Sequence, residues 1–121
     1  MNQSLVRSEL KSHYVFLSLL FALILTGCAT ANFSQTGTFK ASPRDENCDF
    51  VIYTTSPKTE FEELGVVDIN QGWSGVKTMD EVRELARPYV CQNGGNGLLV
   101  WGVHPGGFYT KAIVIYISNK K

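Results

Sequence analysis

The feature that most constrains this 121-residue chain is the apolar run Tyr14-Val-Phe-Leu-Ser-Leu-Leu-Phe-Ala-Leu-Ile-Leu25. Arg7, Lys11 and His13 precede it, and the small pair Thr26-Gly27 follows. A basic start, a short apolar core and small residues at its exit describe a secretory signal peptide, because the peptidase must seat its cut site in a tight groove. A run of about a dozen residues is short of the ~20 that a membrane span needs. The sequence therefore predicts a leader over residues 1–27, with everything that folds lying after it. An uncleaved membrane helix is the weaker reading of the same run.

Leu25-Thr26-Gly27-Cys28 resembles the lipobox of bacterial lipoproteins. The resemblance implies that the Cys28 thiol receives a diacylglyceryl group, that the leader is removed, and that the new amine is acylated. The bland alternative is an ordinary signal peptide with a chance cysteine. One acyl chain binds a bilayer only marginally, but each buried CH₂ adds ~0.8 kcal/mol, so three chains hold permanently. The residue after the cysteine is Ala29, not Asp. In that family this implies sorting to the outer membrane, on its periplasmic side. The implied cofactor is none beyond the covalent lipid on Cys28.

Without the leader, 94 residues remain, carrying nine basic and ten acidic side chains. A net charge near −1 is no nucleic-acid footprint, which needs a basic patch or stripe. One small domain fits this length, and a domain of this size is marginal on core burial alone. Two cysteines are left, Cys48 and Cys91. In an oxidising exported compartment such a pair predicts a disulfide, with two independent buried thiols as the alternative.

Residues 28–47 are polar and small, with no apolar period, and are predicted to be the lipidated N-terminus and a flexible tether. Phe33 and Phe39 are unusual in a tether and are candidates to dock on the domain or a partner. The domain is expected over residues 48–121. Residues 50–55 are β-branched and aromatic, a strand by composition. A second strand is predicted within residues 61–69, mainly from Leu64. Thr78-Met-Asp-Glu81 matches a capping box. Met79, Val82, Leu85, Ala86 and Tyr89 recur at helical spacing and predict a core face. Pro88 should kink or interrupt this helix, and Asn93-Gly-Gly-Asn-Gly97 should end it. Residues 98–103 and 109–117 predict the last two strands, joined by a hairpin at residues 104–108. The final strand is apolar on both faces, which predicts a central position. The order is ββαββ, a small single α+β domain with one helix packed on a mostly antiparallel four-stranded sheet.

Catalytic equipment is sparse, and no catalytic residue is assigned. After the leader the only histidine is His104, in the predicted hairpin loop, where a solvated imidazole is the ordinary reading. Cys48, Asp49, Cys91 and His104 lack the short paired spacing of a zinc site, so no metal ligand is assigned. Glu62 and Glu63 read as solvated surface. Asn93-Gly-Gly-Asn-Gly97 follows a helix and precedes a strand, the reverse of a dinucleotide loop. Trp101 and Tyr116 are expected in sheet packing. Trp73 and Phe108 lie in predicted loops and are the partner-contact candidates.

Val51-Ile-Tyr-Thr54, Phe61-Glu-Glu-Leu-Gly-Val-Val67, Gly95-Asn-Gly-Leu-Leu-Val100 and Tyr109-Thr-Lys-Ala-Ile-Val114 follow one another as in the periplasmic domain of RcsF. This chain therefore resembles the RcsF-type outer-membrane lipoproteins, which signal envelope stress to the Rcs phosphorelay. The resemblance covers most of residues 50–117. That family's sensor has four domain cysteines in two bridges and a proline-rich tether, whereas this chain has two cysteines after Cys28 and one proline, Pro43, in residues 29–47. The resemblance implies a non-enzymatic signalling module. Its partners would be the membrane, through the lipid, and envelope proteins such as an outer-membrane barrel or an inner-membrane regulator. The other expectation is a small ligand- or metal-binding outer-membrane lipoprotein.

Overall fold

The computed structural model describes residues 3–24, 27–72 and 75–119. Its elements run α1 (Gln3–Ile24), β1 (Thr30–Gln35), β2 (Val51–Tyr53), β3 (Glu62–Asn70), α2 (Met79–Gln92), β4 (Gly97–Val103) and β5 (Tyr109–Tyr116). The five strands form one open sheet in the order β1-β3-β5-β4-β2. All neighbours are antiparallel except β2, which lies parallel to β4. This is a small α+β domain, with α2 packed on one face of the sheet.

α1 covers the predicted leader core, and its side chains from Lys11 to Phe21 are exposed. Among the described residues no helix is long and apolar enough to cross a membrane.

The helix α2 starts where the capping box puts it. The Thr78 hydroxyl accepts the Glu81 N–H at 3.3 Å, while the Glu81 carboxylate reaches back one residue further than expected, to the Lys77 N–H at 3.2 Å. Asp80 and Glu81 occupy its first turn, at the positive end of the helix dipole. Val82, Ala86 and Val90 are fully buried, and Met79, Leu85 and Tyr89 pack at the margins of the same core. Pro88 does not interrupt the helix. It lies exposed near the C-terminus of an unbroken α2, so the carbonyl it leaves unpaired is on the side open to water. The helix stops at Asn93, and Gly94 follows at φ +75°. A Cβ at Gly94 would also meet Ala41 and Ser42, so both conformation and space call for glycine.

The central position of β5 follows its sequence. Ala112 and Val114 face α2 with Leu98 and Val100 of β4 and Leu64, Val67 and Ile69 of β3. The opposite face of β5 carries Ile113 and Ile115, and Ile115 is fully buried.

Two further expectations are corrected. The segment read as a flexible tether is built into the domain. β1 pairs with β3 from Thr30–Asn70 to Gln35–Gly65 and adds a fifth strand. Phe33 stacks on Tyr89 with ring centroids 5.9 Å apart, and Phe39 stacks on Tyr116 at 5.3 Å. The Tyr89 hydroxyl donates to the Ala31 carbonyl at 2.6 Å, and the Arg44 N–H donates to the Cys91 carbonyl at 2.8 Å. Trp101 is the second correction. It is 69% exposed, not packed in the sheet: it lies past Leu99, where the β4–β5 register shifts between Val100 and Gly102. Tyr116 is packed, half-buried against Phe39.

Candidate anchoring and contact site

The three cysteines divide. Cys48 and Cys91 are bridged, with their Cα atoms 5.6 Å apart. Cys48 lies just ahead of β2 and Cys91 in the last turn of α2, so the bridge ties the β2 edge of the sheet to the end of the helix. The same junction is reinforced by arginines. Arg87 donates to the Cys48 carbonyl at 2.9 Å, and Arg83 donates to the Phe50 carbonyl at 2.8 Å. Both guanidinium groups lie over the Phe50 ring.

Cys28 is the free cysteine among the described residues, and it is exposed. Leu25 and Thr26 of the lipobox-like sequence lie outside the described residues. Ala29 alone separates Cys28 from β1. The backbone from Gly27 to Ala29 passes so close to Gly72 that a Cβ there would sit 2.8 Å from three of its atoms. Gly72 also holds φ +60°, a conformation that favours glycine. Cys28 is thus seated against the loop between β3 and α2.

That loop is organised by one side chain. Gln71 Nε2 donates to the carbonyls of Ile69 and Tyr109, and its Oε1 accepts the Val76 N–H at 2.8 Å. The Tyr109 N–H donates to the Val76 carbonyl at 2.8 Å. Together these bonds join the β3–α2 loop to the β4–β5 hairpin. The Phe108 ring lies directly over Gly75, with the Lys77 ammonium 5.0 Å from the ring centroid. Of the two contact candidates, Phe108 is therefore half-buried between the loops. Trp73 lies outside the described residues. The sequence reading overlooked Gln71, since a lone glutamine in a polar loop carries no periodic or motif signal.

His104 is exposed on the hairpin, and its Nδ1 accepts the Gly106 N–H at 3.0 Å within its own turn. Among the described residues no three His, Cys, Asp or Glu side chains are grouped to hold a metal ion. Glu62 and Glu63 are exposed, and Glu63 accepts the Thr36 hydroxyl at 2.7 Å.

Among the described residues outside α1, the exposed large hydrophobics are Val51, Trp101 and Val103. All three belong to β2 and β4, and Trp101 and Val103 stand at the end of β4 that meets the hairpin. No family model, no curated protein and no solved structure matches this chain.

Proposed function

We propose that this chain is an exported bacterial lipoprotein, anchored through acylated Cys28 on the periplasmic side of the outer membrane. Its domain acts there as an RcsF-like envelope-stress module, through protein–protein contacts that feed the Rcs phosphorelay. The observation that supports this reading most is the division of the cysteines. Two are bridged, as suits an oxidising compartment, and the third is exposed at the end of the lipobox-like sequence. The order of the four RcsF-like segments supplies the signalling half of the proposal. The reading needs no catalytic residue, metal or cofactor other than the covalent lipid.

In this mechanism the lipid fixes the place and the domain surface chooses the partner. With β1 starting at Thr30, reach comes from the domain's own dimensions and not from a length of free chain. Deleting the gene and recording an Rcs-controlled reporter after lipopolysaccharide damage tests the role. The expected result is a lost response that the wild-type gene restores and a Cys28→Ser gene does not. An undiminished response in the deletion strain would remove the signalling role.

A further inference from the structure

The strand register places one set of residues level with the anchor. Thr30 pairs with Asn70, two residues beyond Asp68, which pairs with Lys111. Tyr109 lies two residues before Lys111 and pairs with Val103. Thr30, Asn70, Tyr109 and Val103 therefore mark one end of the sheet. The described residues of the β3–α2 loop, 71–72 and 75–78, and the hairpin at residues 104–108 follow on from it. Cys28 leaves the domain at this end, and Ala29, the one residue between it and β1, spans at most about 3.6 Å. β4 lies three strands from β1, a lateral distance of about 14 Å.

We infer that this end of the domain is a membrane-contact surface, in which the β4–β5 hairpin, with Trp101 and Val103 behind it, rests in the headgroup layer of the bilayer that holds the Cys28 lipid. The inference rests on the acylation proposed above and adds the surface that acylation brings to the membrane. Three observations carry it. One residue of slack leaves the anchored end nowhere to go but against the bilayer. Among the described residues outside α1, two of the three exposed large hydrophobics lie at this end, with relative exposures of 69% for Trp101 and 58% for Val103. Tryptophan is the side chain most at home at the headgroup level, where its ring meets both apolar and wet surroundings. Lys77 stands at this end with its ammonium 5.0 Å from the Phe108 ring centroid, while the Lys111 ammonium is paired with Asp68 at 3.3 Å. The acids of α2's first turn, Asp80 and Glu81, share this end, so the attraction is interfacial and not electrostatic. The bridged end of the domain, with residues 44–48 and 93–96, is left facing away from the bilayer.

The test uses the full chain, purified with its lipid and placed in vesicles of phosphatidylethanolamine and phosphatidylglycerol brominated near the acyl carbonyl. The chain has two tryptophans, Trp73 and Trp101. Trp73→Phe leaves Trp101 as the reporter. If that variant does not fold, the difference between wild type and Trp101→Phe isolates the same signal. Val51→Trp in a chain with both native tryptophans replaced by Phe places a reporter at the far end of the same sheet face. The expected result is loss of most Trp101 emission, with the Val51→Trp reporter unaffected. Equal quenching of both reporters, or quenching of neither, overturns the inference. Shielding of Trp101 in lipid-free Cys28→Ser protein that grows with protein concentration would assign the surface to a second copy and overturn it as well. The intact mass of the same preparation separates the two claims. An acylated but unquenched chain defeats this inference alone, whereas an unacylated chain defeats the anchoring proposal beneath it.

Discussion

Where α2 ends, the domain is bolted together. Cys48 is bridged to Cys91, and Arg44 donates to the Gly95 carbonyl at 2.8 Å. The Asn96 side chain both donates to and accepts from the backbone of Ile117, at 2.8 Å each way. Where α2 begins, among the described residues, no covalent link joins the elements. The two loops there are held by Gln71, by the Tyr109–Val76 bond and by Phe108 lying over Gly75. The first end is cross-linked. The second keeps Trp101 and Val103 in the open and receives the Cys28 segment. The difference teaches that the covalent staple and the exposed Trp101 and Val103 lie at opposite ends. A chain of this size is marginal on core burial alone, and its staple reinforces the end away from those two side chains.

Variants at the two ends sharpen that contrast, and the largest effect belongs to the bridged end. Reducing the disulfide, or Cys48→Ser, reopens a loop whose ends are 43 residues apart and is expected to cost about 4 kcal/mol in urea unfolding, on the chain-entropy account. A loss near zero would mean that the arginine clamps hold the junction without the bridge. Leu98→Ala, at the start of β4 and fully buried, is expected to cost about 3 kcal/mol in the same measurement. At the other end, Gln71→Ala leaves the Val76 N–H and the Tyr109 carbonyl without their side-chain partner. A loss of about 2 kcal/mol is expected, with faster amide exchange confined to the β3–α2 loop and the hairpin. Thr78→Ala removes the α2 cap and should cost about 1 kcal/mol. Trp101→Ser should change stability by no more than about 0.5 kcal/mol, because an exposed ring on an open face contributes little to the fold. A loss for Trp101→Ser as large as that for Leu98→Ala would erase the distinction between the two ends.

Much of the fold was legible where a local signal coincided with a buried face. Thr78 and Glu81 announced α2, and the apolar faces of β5 announced the middle of the sheet. β1 was not legible for a physical reason. An edge strand covered on one side needs only alternate apolar positions, here Ala31 and Phe33, and between Thr, Asn and Ser that alternation resembles a polar linker. Trp101 was misplaced because alternation gives the face it shares with buried Leu99 but not the register shift between Val100 and Gly102 at which it stands. The interruption expected at Pro88 does not occur: the residue is exposed, and α2 runs through it to Gln92. At the site, the Cys48–Cys91 bridge was legible from the cysteine count. Gln71 was not, since its role depends on bringing Val76 and Tyr109 together in three dimensions.

The central claim is that the Cys28 thiol carries the anchor. Intact-mass analysis of the chain purified from the envelope tests it most directly. The account predicts a protein beginning at Cys28, with the added mass of a diacylglyceryl thioether and an amide-linked fatty acid. A chain that still carries residues 1–27, or one that begins at Cys28 with no fatty acid, would contradict it.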